Sequence, residues 1–159
     1  MNKYSLLNAI IQKLEDEFSV INGASKAAHE AATHEESKPE DQYDTRGLEA
    51  SYLAEAQSAR ASEIQKSIKL LREFSIPPFT SKDSIQPGAL VEMLQDSQPF
   101  WVFFLPAGAG IGAQLDGIKV SVVTTASPFG KEIRGKKMGD TFEFSAKGNP
   151  KEYEVVNLF

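Results

Sequence analysis

The sequence predicts an α+β chain, an N-terminal antiparallel helical hairpin (a coiled coil) followed by an antiparallel sheet domain with one short helix. Three observations lead there. Apolar residues in the first half recur at steps of three and four, the period of one helix face. From about Ser84 the pattern changes to short β-branched or aromatic runs separated by turn residues. Between two of those runs stands Ser127-Pro128, a helix-start signal with an N-cap serine and a proline at the first helical position.

In the first helix Leu7, Ile10, Ile11, Leu14, Phe18 and Ile21 form one stripe. Ala24, Ala27, Ala28, Ala31 and Ala32 continue it with small side chains, and Asn22-Gly23 marks a weak point suited to a bend. The stretch "EESKPEDQYDTR" follows, with five carboxylates, Glu35, Glu36, Glu40, Asp41 and Asp44, around Pro39. A second helical pattern, "GLEASYLAEAQSARASEIQKSIKLLREF", carries Tyr52, Leu53, Ala56, Ala59, Ile64, Ile68 and Leu71, with Tyr52 read as a core residue. Lys66, Lys69 and Arg72 load its last turns, which suits the negative end of a helix. Pro77 and Pro78 end it, because they cannot continue the hydrogen-bond ladder. Neither helix is stable alone in water, so the two stripes must bury each other. About 30 residues at about 1.5 Å each give a rod of roughly 45 Å, with the acidic stretch as its tip.

In the second half "GALVEML", "PFWVFFLP", "IKVSVVTTA", "DTFEFSA" and "KEYEVVNLF" read as strands. A short helix is predicted near Pro128 to Arg134, closed by Gly135. "PAGAGIGAQLDG" reads as a loop; its glycines lack the spacing, the following helix and the downstream acid of a dinucleotide fingerprint. The predicted organisation is a hairpin over 1–75, a linker over 76–83 and a sheet domain over 84–159.

Composition narrows the function classes. The absence of cysteine excludes disulfides and thiolate metal sites. A net charge of −5 is not the basic excess of a protein that grips duplex nucleic acid by its phosphates. No signal peptide and no membrane span is read, so the expectation is a soluble cytoplasmic protein. Charge is uneven: residues 1–80 hold 13 acids against 9 bases, whereas "KEIRGKK" holds four bases against one acid. Lys131, Arg134, Lys136 and Lys137 in that segment are candidates for docking an acidic partner surface, against the plainer reading of a solvated helix end. His29 and His34 are five apart, not the spacing that puts two metal ligands on one helix face.

"SPFGKEIRGKKMGDTFEFSAKGNPKEYEVVNLF" resembles the closing pattern of the bacterial GreA/GreB transcript-cleavage factors. "IQPGALVEML" is similar to the start of their FK506-binding-protein-like domain, and "DTRGLEASYLAEAQSAR" resembles their hairpin more loosely. The resemblance implies an RNA polymerase partner, with Lys131, Arg134, Lys136 and Lys137 in the docking domain and the hairpin in the enzyme's secondary channel. It implies that tip carboxylates share Mg²⁺ with the polymerase active site and help it hydrolyse backtracked RNA. Asp41 and Asp44 would be the metal-directed pair, with Glu49 as a further catalytic candidate. The nascent RNA 3′ end would be met only inside that complex, with no binding of free nucleic acid and no autonomous enzyme activity. The family pattern has an Asp, a Glu three later and a Tyr four after that. Here Gly47 stands three after Asp44, Asp41 and Asp44 keep the three-residue step, and Glu49 stands three before Tyr52. This departure leaves open a non-cleaving regulator that occupies the channel and competes with cleavage factors. A prolyl isomerase is a third reading, suggested by the sheet domain alone.

Overall fold

The computed structural model describes residues 2–33, 46–115, 117–145 and 148–159. Helix α1 spans Lys3–Thr33 and α2 spans Arg46–Glu73. Asn2 caps α1: its Oδ1 accepts from the backbone N–H of Tyr4 at 3.1 Å and of Ser5 at 3.2 Å, satisfying two donors with no intrahelical partner. The helix runs unbroken through Asn22-Gly23.

The chain divides into two compact units, Met1–Gln12 with Ile68–Phe159, and Lys13–Ser67. In the second of these, Leu14, Ala54, Ala61 and Ile64 are buried. Arg60 joins α2 to α1 through an Nη2–Oε1 contact of 2.9 Å with Glu17. Among the described residues of α2 the buried ones are Ala54, Ala61, Ile64, Ile68 and Leu71, a seven-three-four-three spacing. Tyr52 lies off that line and is 62% exposed, and Leu53, Ala56 and Ala59 are exposed as well. The expected core role of Tyr52 is therefore wrong. The physical reason is register: Ile64, Ile68 and Leu71 set the buried line, and counting back along it reaches Ala61 and Ala54. Ala24 and Ala27 are likewise exposed rather than part of a buried stripe. An alanine buries too little area to hold a register by itself.

The other unit carries a six-stranded sheet. Its strands are β1 Leu90–Gln95, β2 Gln98–Leu105, β3 Gly112–Leu115, β4 Ile118–Thr124, β5 Thr141–Phe144 and β6 Lys151–Leu158, in the order β3-β4-β2-β1-β6-β5. The short helix α3, Pro128–Ile133, follows β4. All five strands expected from the sequence are present, and β3 is added within the stretch read as a loop. Its residues Gly-Ala-Gln-Leu lack β-branched side chains, and pairing with β4 makes it a strand. That added strand also corrects the expected antiparallel sheet to a mixed one. β3 runs antiparallel to β4, so the extra reversal leaves β4 parallel to β2.

β2 lies inside the sheet and is buried on both faces. Val102 and Phe104 join a core with Ile85, Val91, Met93, Ile133 and Val155. Trp101, Phe103 and Leu105 point to the opposite face and are also buried. A Cβ placed on Gly108 would lie 3.5 Å from Leu71, 3.6 Å from Ile10 and 3.7 Å from Val122, so the start of α1 and the end of α2 pack at the β2–β3 connection.

Candidate interaction site

Ser127 Oγ accepts from Gly130 N at 3.0 Å and donates to Thr124 O at 2.8 Å, fixing the start of α3 as the sequence predicts. Lys131 and Arg134 are exposed on and just after this helix. Gly135, at φ +84, turns the chain back to Ser84–Gln86, where Gly135 N donates to Ile85 O at 2.9 Å and Ile85 N to Lys136 O at 2.8 Å. Lys137 N donates to Asp140 Oδ2 at 2.7 Å, which fixes the backbone from which its exposed side chain leaves.

The four bases are thus carried by one braced helix-and-turn segment, but not as equals. Lys136 is half-buried, with Nζ 3.0 Å from Glu132 Oε1 and 4.6 Å from the centroid of the Phe142 ring. Its charge is offset by Glu132, which leaves Lys131, Arg134 and Lys137 as the cations presented outward. Behind the segment Phe129 contacts Phe144 and Tyr153 at 5.0 Å and Phe100 and Phe142 at 6.1 Å between centroids. This aromatic cluster gives α3 a seat, and Met138, in the turn after the helix, is 47% exposed. Sequence reasoning found the bases; it missed the cluster, because Phe100, Phe129 and Tyr153 come from three distant elements.

Asp41 and Asp44 lie outside the described residues. Glu49 is exposed in the first turn of α2, where a helix N-terminus favours an acid. His29 is exposed on α1, and His34 lies outside the described residues. Among the described residues no group of three His, Cys, Asp or Glu side chains is arranged to hold a metal ion, and no helix is long and apolar enough to cross a membrane.

No family model matches the chain. It is 36% identical over 77 residues to transcription elongation factor GreA of Rhodospirillum rubrum, a match covering 48% of this chain and 46%, about half, of that relative. It is 25% identical over 161 residues to transcription elongation factor GreA of Acidiphilium cryptum, covering 98% of this chain and 97% of that one. The solved structure of the transcription factor Gfh1 aligns with 96% of this chain and 92% of its own, at 25% identity and a TM-score of 0.41. The chain is GreA/GreB-like, similar in sequence along nearly its whole length to one protein named transcription elongation factor GreA and over about half of its length to another.

Proposed function

We propose that this chain binds RNA polymerase, brings the carboxylates of residues 35–44 into the enzyme's secondary channel and stimulates cleavage of backtracked RNA. The observation that carries this reading is the similarity over 98% of the chain to a transcription elongation factor GreA. Two long helices bracket the acidic stretch, and Lys131, Arg134 and Lys137 are exposed on one braced segment, which supports docking of an acidic partner surface there. Asp41 and Asp44 would be the groups that help hold Mg²⁺, since that ion takes hard oxygen ligands, commonly one or two carboxylates with waters and phosphate. Held there, Mg²⁺ would supply charge stabilisation for an in-line displacement at phosphorus, and the part of Asp41 and Asp44 would be to provide its carboxylate ligands. The residues of this chain contribute negative charge and position; the hydrolysis belongs to the polymerase.

The test is cleavage of RNA in backtracked polymerase complexes. Wild-type protein should accelerate it, and the double variant Asp41→Ala with Asp44→Ala should lose the acceleration while still binding. No added cleavage with wild-type protein sinks this reading. A second reading, a channel-occupying regulator without cleavage, is favoured by Gly47 standing where the family pattern has its acid. It requires inhibition of a true cleavage factor that persists after Asp41 and Asp44 are neutralised.

A further inference from the structure

Lys3 stands in the first turn of α1, and its ammonium is only partly solvated. Nζ donates to Gly88 O at 3.3 Å and to Pro77 O at 3.5 Å, and lies 4.6 Å from the centroid of the Phe79 ring. Tyr4 beside it donates its hydroxyl to Ile76 O at 3.4 Å. These contacts reach across 72 to 85 residues, so no local pattern in the sequence announces them. Among the described residues the partners of Nζ are neutral: two carbonyls and a ring. No carboxylate among the described residues pairs with it. Burial pushes its pKa below the usual lysine value, as expected for a cation that has lost water without gaining an anion.

Beside Lys3 opens a cleft of about 560 Å³, walled by Tyr4, Pro77, Pro78, Phe79 and Phe159 among others. Phe159 stacks on Trp101 at 5.9 Å and 18°, which braces that wall. Both carbonyl contacts of the ammonium are longer than a good N–H···O bond, so an anion entering the cleft would be the better acceptor.

We propose that this cleft docks a segment of a partner protein in which an acidic side chain stands beside an aromatic or aliphatic one. Charge complementarity selects the carboxylate, because the half-buried ammonium has no counter-ion among the described residues and is less screened than a surface charge. The proline and phenylalanine walls select the apolar neighbour, since recognition pockets join apolar lining to a few placed polar groups. The cleft is far larger than a carboxylate, which argues for a peptide segment over a small free anion. This site is separate from Lys131, Arg134 and Lys137, and the proposal does not depend on the function proposed above.

The test titrates the full chain with the peptide acetyl-Phe-Glu-Phe-amide and follows backbone amide shifts by NMR. Shifts at Tyr4, Thr80 and Phe159 should saturate. The neutral peptide acetyl-Phe-Gln-Phe-amide should bind roughly tenfold more weakly or worse, and Lys3→Met should weaken the Glu peptide to a similar degree. Lys3→Arg, which keeps the charge, should bind more tightly than Lys3→Met. Equal binding of the two peptides, undiminished binding by Lys3→Met, or sodium acetate competing as well as the Glu peptide would each overturn the proposal. If Lys3→Met disturbs the fold, the comparison of the two peptides on the wild-type chain decides it alone.

Discussion

Gly23 and Gly130 are the same residue type with opposite consequences. Gly23 sits within α1 with nothing within 4 Å of an added Cβ. Gly23→Ala removes backbone freedom from the unfolded chain and should stabilise the protein by about 0.5–1 kcal/mol. Gly130 is buried in α3, and an added Cβ would collide with the carbonyl oxygen of Thr124 and lie 2.9 Å from Ser127 Oγ, the capping atom. Gly130→Ala should cost about 1–3 kcal/mol through overpacking. Urea midpoints at constant slope check both. Tyr153 offers a pH test. Burial, and next the negative charge of Asp96, raise its phenol above the ordinary value, while its hydroxyl donates to Gln95 Oε1 at 3.4 Å. The folded state therefore holds this proton more tightly than the unfolded one. Its contribution is fully present below about pH 10 and is lost as pH rises through the raised folded value. Between pH 8 and about pH 11 the wild type should lose more stability than Tyr153→Phe, by urea unfolding at each pH.

At the scale of elements, α2 shows that period and register are separate pieces of information. The three- and four-residue steps establish a helix, but several stripes can be drawn through the same alanine-rich stretch. Leu71 is fully buried and Tyr52 is not, which makes the observed register testable. Leu71→Ala should cost about 2–5 kcal/mol, by lost burial and a residual cavity. Tyr52→Ala should cost about 0.5 kcal/mol or less, as exposed substitutions do. Equal losses in urea unfolding would mean that Tyr52 is packed after all. α3 is the opposite case, because its start depends on contacts three residues apart. Ser127, Pro128 and Gly130 announce it locally, and the structure places it over Pro128–Ile133 with Arg134 as its C-cap.

At the scale of the whole molecule, the question is charge. The protein carries a net −5, yet α3 and the turn after it present Lys131, Arg134 and Lys137 outward. If that segment docks the polymerase, reversing these three to Glu should weaken binding roughly tenfold or more and flatten its salt dependence. Lys136→Gln should matter less, because Glu132 already offsets that charge. Affinity of the variants for polymerase at two salt concentrations distinguishes these outcomes. Unchanged affinity in the triple variant would remove the segment from the docking surface.

The helical spans, the five expected strands, the cap at Ser127 and the basic segment after it were legible in the sequence, because each depends on residues within about one or two turns of one another. The candidate site was legible only as residue types: Lys131, Arg134, Lys136 and Lys137 as bases, and Asp41, Asp44 and Glu49 as acids. Tertiary structure decided what separates otherwise similar residues. Pairing with β4 made a strand of Gly112–Leu115 and turned the sheet from antiparallel to mixed. Packing buried Ala54 and left Tyr52 in water. Contacts across more than 70 residues set the ammonium of Lys3 against Pro77, Phe79 and Gly88. Local periodicity records which elements form; which faces meet depends on burying the most apolar area with every backbone group paired, a property of the assembled chain.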